Sequence, residues 1–177
     1  HPVDRRQRQM CIRDRNMQYK FKTEPYEHQL EALKRSWNKK EYAYFMEMGT
    51  GKSKVLIDNI SMLYDKGGIN AAVIVAPKGV YRNWSEKEIP THMPEHVLKQ
   101  IAVWNPAPTK AQKKTLTDLF LPSDDLKILI VNVEAFSTKK GVTFVEKFIL
   151  NHNCLIAVDE STTCLLYTSP SPRDSSK

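Results

Sequence analysis

An α/β fold built on a doubly wound parallel sheet is what this sequence predicts, and three observations predict it. Five short apolar runs recur along the chain, helical periodicity fills the gaps between them, and glycine, proline and acidic clusters punctuate the joins. Strands that are apolar along their whole length must be covered on both faces, which is the situation of parallel strands. The right-handed crossover rule then places a ligand at the carboxyl ends of the strands.

The first helix is expected over residues 26–37, where Leu30, Leu33 and Trp37 share one side. A strand follows at 42–46, then a helix at 53–64 with Val55, Leu56, Ile60 and Leu63 on its apolar face. Gly67-Gly68 breaks the chain before the second strand, 71–76. The third strand, 100–104, is closed by Pro106 and Pro108, and Pro122-Ser123-Asp124-Asp125 precedes the fourth at 127–133. Helical spacing over 144–150 leads into the last strand, 154–158. No internal repeat or low-complexity segment appears between residues 17 and 163.

The two ends have a different character. Gln9-Met10-Cys11-Ile12-Arg13-Asp14-Arg15 back-translates through AGATGTGTATAAGAGACA, whose reverse complement encodes Cys-Leu-Leu-Tyr-Thr-Ser, the residues at 164–169. That inverted pair looks like a transposon end used in sequencing libraries. Residues 5–8 and 170–174 resemble its outer adapters in translation. Residues 1–16 and 164–177 are therefore expected to be adapter-derived and disordered, leaving 17–163 as one lobe, incomplete at its C-terminal end. A basic leader and a polar Ser/Pro tail are the plainer alternative.

Setting the ends aside changes the charge argument. Residues 1–15 carry five Arg against two Asp, and residues 164–177 carry one Arg and one Lys against one Asp, so the formal +7 falls to +3. Affinity for nucleic acid must then come from motifs and not from the overall charge. Only Cys154 survives of three cysteines, inside an apolar run that favours a buried, inert thiol. Without a disulfide pair, a secretory signal or a membrane-length apolar stretch, the expected location is the cytoplasm of a bacterial or phage-infected cell. His28, His92, His96 and His152 show no metal-ligand spacing, and no zinc site is expected.

The strongest chemical signal is Met46-Glu47-Met48-Gly49-Thr50-Gly51-Lys52-Ser53, between a predicted strand and a predicted helix. Gly49 and Gly51 let backbone N–H groups of Met48, Gly49, Thr50 and Gly51 face phosphate oxygens, and the helix start adds its dipole. Lys52 is expected at the β and γ phosphates of ATP or GTP, and the Ser53 hydroxyl on Mg²⁺. Met46 stands where the longer form of the pattern has glycine. At the other end of the chain, Leu155-Ile156-Ala157-Val158-Asp159-Glu160 closes an apolar strand in two carboxylates. Behind a phosphate loop, Asp159 is expected to hold Mg²⁺ and Glu160 to activate the attacking water. An ordinary solvated strand end is the alternative.

The order of these motifs resembles the first, RecA-like motor lobe of a superfamily 2 helicase, most closely the Swi/Snf-type branch. Pro25-Tyr26-Glu27-His28-Gln29 is similar to the family's segment before the loop, and the resemblance implies that Gln29 reads the adenine edge. Val75-Ala76-Pro77-Lys78-Gly79-Val80-Tyr81-Arg82-Asn83-Trp84 resembles motif Ia, implying that Pro77, Lys78 and Arg82 touch a nucleic-acid backbone. Trp84 reads as core packing. Asp159-Glu160-Ser161-Thr162 resembles motif II, and 130–134 occupies the place of motif Ib, with Val133 where tyrosine is common. Compact spacing suggests a phage or bacterial member.

The resemblance implies a nucleic-acid-stimulated ATPase, with DNA the favoured partner, whose second lobe belongs to the same polypeptide and supplies an arginine to the transferring phosphate. Loss of such an arginine typically costs about 10³ to 10⁵ in rate, so this segment is expected to bind Mg-ATP but hydrolyse it very slowly. The alternatives are the motor subunit of a restriction system and a non-motor P-loop nucleotide-binding module.

Overall fold

The computed structural model describes residues 19–37, 39–46, 50–159 and 163–168. Among the described residues six strands form one sheet: β1 (Glu41–Phe45), β2 (Ala71–Ala76), β3 (Lys99–Val103), β4 (Leu126–Asn132), β5 (Cys154–Asp159) and β6 (Thr163–Thr168). Their order across the sheet is β1-β6-β5-β2-β4-β3. β5, β2, β4 and β3 are parallel, with Val73 opposite Ile156 on one side and Leu129 on the other. All six residues of β2 and all seven of β4 are buried, as parallel strands with both faces covered require.

Alternation along the strands separates two cores. Ala72, Ile74, Ile128, Ile130, Leu155 and Ala157 pack with Val55, Leu56 and Ile60 on one face, while Val73, Leu129, Val131 and Cys154 pack with Leu116, Val145 and Phe148 on the other. The first face is covered by α1 (Glu27–Ser36), α2 (Lys52–Asp65) and a broken helical segment over residues 81–92. The second is covered by α5 (Lys110–Asp118) and α6 (Lys139–Asn151). The sheet is thus doubly wound. Burial pushes the Cys154 thiol up to about 12, which keeps it protonated and inert.

The segment over residues 81–92 comprises α3 (Tyr81–Asn83), a π-helical turn (Trp84–Glu88) and α4 (Ile89–His92). The Ile89 N–H reaches back five residues to the Trp84 carbonyl. Pro90 supplies the cause, because it has no N–H to offer the carbonyl one turn back and its ring crowds that position.

β6 departs from the sequence reading. Residues from 164 onward are expected to be disordered, yet 163–168 pair antiparallel with both β1 and β5. The Leu165-Leu166-Tyr167-Thr168 run has the strand-forming residue types that allow this pairing. α5 is a second departure: only Leu116 on it is buried, so it has no apolar stripe. Its start is fixed by Thr109 and Gln112, with the Gln112 N–H donating to Thr109 Oγ1 and the Thr109 N–H to Gln112 Oε1.

A buried polar cluster ties together the elements that flank the phosphate loop. The Tyr44 hydroxyl of β1 donates to Ser36 Oγ of α1 at 2.6 Å, and Asn59 Nδ2 of α2 donates to that hydroxyl at 2.9 Å. The chain before α1 is fastened in a similar way. The Tyr19 hydroxyl donates to Asp58 Oδ1 at 2.9 Å, Lys22 pairs with Glu95, and Thr23 Oγ1 lies 2.8 Å from His92 Nδ1.

Candidate nucleotide site

The β1–α2 connection and the end of β5 lie at the carboxyl edge of the sheet. Of the phosphate-loop residues, Thr50, Gly51, Lys52 and Ser53 are described, whereas Met48 and Gly49 lie outside the described residues, as does Glu160. Gly51 has φ of +81°, in the left-handed region that glycine tolerates best, and its carbonyl accepts the Val55 N–H at 3.3 Å to open α2. Lys52 and Ser53 are half-buried in the first turn of that helix, which holds no acidic side chain. An anion is therefore favoured there by both the helix dipole and the lysine.

Gln29 is brought directly onto the loop. It is 4% exposed; its Oε1 accepts the Tyr26 N–H at 2.9 Å and its Nε2 donates to the Thr50 carbonyl at 3.0 Å. The first of these bonds satisfies an orphan donor at the start of α1, a capping role that the sequence reading did not foresee. His28 Nε2 lies 2.9 Å from the same Thr50 carbonyl, and the exposed Tyr26 ring stacks on His28 with centroids 5.8 Å apart. Tyr26 and His28 were thus missed as neighbours of the loop. Their spacing beside Gln29 in the Pro25 to Gln29 segment was the available signal.

Asp159 ends β5 half-buried. Burial raises its carboxyl above the ordinary range, opposed by a hydrogen bond from the Trp84 indole and by the charge of Lys52, while Glu88 adds to the rise. The Trp84 bond measures 3.1 Å, from Nε1 to Oδ2. Sequence reasoning placed Trp84 in the core, where it is 2% exposed, but missed its polar end. A buried indole N–H usually finds an acceptor, and that rule was the signal available.

The Ser53 hydroxyl at the start of α2 and the Asp159 carboxylate at the end of β5 are oxygen donors, a type that suits Mg²⁺. Among the described residues no group of three or more His, Cys, Asp or Glu side chains is placed to hold a metal. The residues therefore fit an ion that takes most of its ligands from phosphate and water.

Pro77 and Lys78 follow β2 at the same carboxyl edge. The Pro77 carbonyl accepts the N–H groups of Val80 and Tyr81, each at 3.0 Å, which turns the chain into α3. Lys78 is exposed and lies 3.5 Å from Glu134, while the Arg82 guanidinium lies over the Tyr81 ring at 5.8 Å. Arg82 also rims a shallow cleft with Ser85, Asn105 and Gln112. Asn132 ends β4 and accepts the Ala135 N–H at 2.9 Å, opening a short 3₁₀ turn (Val133–Ser137) on which Val133 and Phe136 are exposed.

Among the described residues no helix is long and apolar enough to cross a membrane. No curated protein matches the chain. The family model described as the type III restriction enzyme, res subunit, matches residues 22–161. That span holds every residue of the site just described, and the family is an ATP-hydrolysing, helicase-type motor that uses nucleotide and Mg²⁺. The chain belongs to the type III restriction enzyme res subunit family, as a RecA-like α/β lobe of a helicase-like ATPase motor.

Proposed function

We propose that this lobe binds Mg-ATP for a DNA translocase of the Swi/Snf type, acting with a second RecA-like lobe of the same polypeptide. The observation that carries the reading is the meeting of Gln29 with the Thr50 carbonyl beside Gly51, Lys52 and Ser53, with Asp159 near enough for its carboxyl to feel the Lys52 charge. A non-motor P-loop enzyme needs the lysine and serine but has no reason to seat a glutamine from a preceding helix on the loop.

Backbone N–H groups of Met48, Gly49, Thr50 and Gly51 hold the phosphates, with Lys52 at the β and γ positions. Gln29 has a second N–H on the amide that holds Thr50, and that donor reads the adenine edge. Ser53 and Asp159 would hold Mg²⁺, which would supply charge neutralisation at the transferring phosphate. Glu160 orients the attacking water and accepts its proton. Pro77, Lys78 and Arg82 hold a nucleic-acid backbone, with DNA favoured, through contacts that do not depend on sequence. The expected setting is the cytoplasm of a bacterial or phage-infected cell.

A second reading, the motor subunit of a restriction system, is favoured by the family match over residues 22–161. Both readings share the site and differ in what the motor serves. Phosphate release measured with and without DNA, on this chain and on a polypeptide continued through a second lobe, tests the motor. Stimulation by DNA in the longer polypeptide alone is expected. Equal, DNA-independent turnover in both polypeptides would contradict a two-lobed motor.

A further inference from the structure

Trp84 joins two parts of the site that the sequence keeps 75 residues apart. Its ring belongs to the same hydrophobic core as Tyr81, Ile89 and Met93, and its one polar side-chain atom, Nε1, donates to Asp159 Oδ2 at 3.1 Å. An indole N–H is a donor only, so it can hold a carboxylate that is ionised but cannot adapt by becoming an acceptor. It fixes which way that carboxylate faces.

The backbone under Trp84 is unusual in a way that bears on this contact. Its carbonyl accepts the Ile89 N–H across a π-helical turn, a feature often found at functional positions. The same turn ends in Glu88. Asn83 Nδ2 donates to Glu88 Oε1 at 3.2 Å, and His92 Nε2 lies 3.7 Å from Glu88 Oε2, so the acid is held within its own helical segment. The Pro77 carbonyl accepts the Val80 and Tyr81 N–H groups that lead into this segment, and Arg82 lies in its first part, α3. One broken helical segment thus carries both Arg82 and the donor to the β5 carboxylate.

We propose that Trp84 is a positioning residue for Asp159, presenting the carboxylate to Mg²⁺ and linking the position of the segment over residues 81–92 to cation binding. The inference rests on Asp159 being the Mg²⁺ carboxylate. Trp84→Phe keeps most of the ring packing and removes the N–H. Site-specific replacement by benzothienylalanine, which has the indole's shape without its N–H, guards against a packing effect.

The test is titration of a fluorescent ATP analogue into the full chain at a series of Mg²⁺ concentrations and in EDTA, with urea unfolding run on each variant. Both Trp84 replacements should raise the Mg²⁺ needed for half-maximal binding by roughly tenfold, the order expected when one supporting hydrogen bond to a metal ligand is lost. Binding in EDTA should be unchanged. Asp159→Asn should raise the Mg²⁺ requirement at least as far. If Asp159→Asn raises it and benzothienylalanine does not, Trp84 only packs, and the inference fails while the Mg²⁺ assignment stands. If Asp159→Asn has no effect, the Mg²⁺ assignment itself fails and takes the inference with it.

Discussion

A β-carbon added to Gly51 would lie 2.1 Å from Gln29 Nε2, closer than any real contact. The glycine is needed twice over, for its positive φ and for the approach of the glutamine that seats on Thr50. Gly51→Ala should therefore destabilise the lobe by about 1–2 kcal/mol from backbone strain alone. It should also weaken nucleotide binding at least tenfold by displacing Gln29. Urea unfolding and nucleotide titration read the two effects separately, and Gln29→Ala in the Gly51→Ala background should recover part of the stability.

Lys54 and Asp58 form an ion pair at 2.7 Å on α2, with side chains 5% and 2% exposed. Tyr19 donates to the same carboxylate, and Lys54 lies over the Phe21 ring at 5.2 Å. Burial outweighs the Lys54 charge and holds the Asp58 carboxyl above its ordinary range. Asp58→Ala should cost about 3–5 kcal/mol, since it strands a buried ammonium group, whereas the double change Lys54→Met with Asp58→Leu should cost far less. A denaturant midpoint that falls equally for both would show that the pair itself, and not the stranded charge, supplies the stability.

His92 gives the fold a pH dependence of defined sign. Burial and the nearby Lys54 charge lower its pKa below 6.5, against a smaller opposing effect of Glu88. The unfolded chain then binds a proton at higher pH than the folded one does, so stability rises with pH. The contribution is complete above 6.5 and is lost as pH falls from there through the lower folded value. The melting temperature of the wild-type chain should drop over that window more than that of His92→Gln, and the difference between the two isolates His92 from Asp58. Parallel curves would remove His92 as the cause.

Lys78 and Glu134 lie 3.5 Å apart with side chains 71% and 64% exposed, a separation worth at most about 1 kcal/mol in stability. If Lys78 holds a nucleic-acid backbone, Glu134 competes for it. Glu134→Gln should leave the melting temperature unchanged and tighten DNA binding at low salt by up to about fivefold. Lys78→Ala and Arg82→Ala should each reduce the slope of log affinity against log salt by roughly one. Fluorescence anisotropy with two unrelated DNA sequences checks both the slope and its independence of sequence.

Much of this fold was legible from residues 17–163. Strand β2 has the predicted bounds, β1, β3 and β4 are shifted by one residue, and β5 runs one residue further to include Asp159. Short apolar runs bounded by turn residues mark buried parallel strands because both faces of such strands are covered. α5 escaped because a helix burying only Leu116 has almost no periodic signal, although Thr109 and Gln112 mark its start. The π-helical turn escaped because Pro90 marks a disturbed helix but does not say which way the backbone relieves it. The chemistry of the site was legible as residue types in order. The links between them, Gln29 to Thr50 and Trp84 to Asp159, depend on packing that spans 21 and 75 residues, which no local pattern encodes.

Calorimetric titration of Mg-ATP into this chain and into Lys52→Ala tests the central claim most directly. Saturable binding that requires Mg²⁺ and weakens at least tenfold in Lys52→Ala is the predicted result, a loss of about 1.4 kcal/mol or more. Binding of the same affinity in both proteins, or none in the wild-type chain, would contradict a phosphate site at the start of α2.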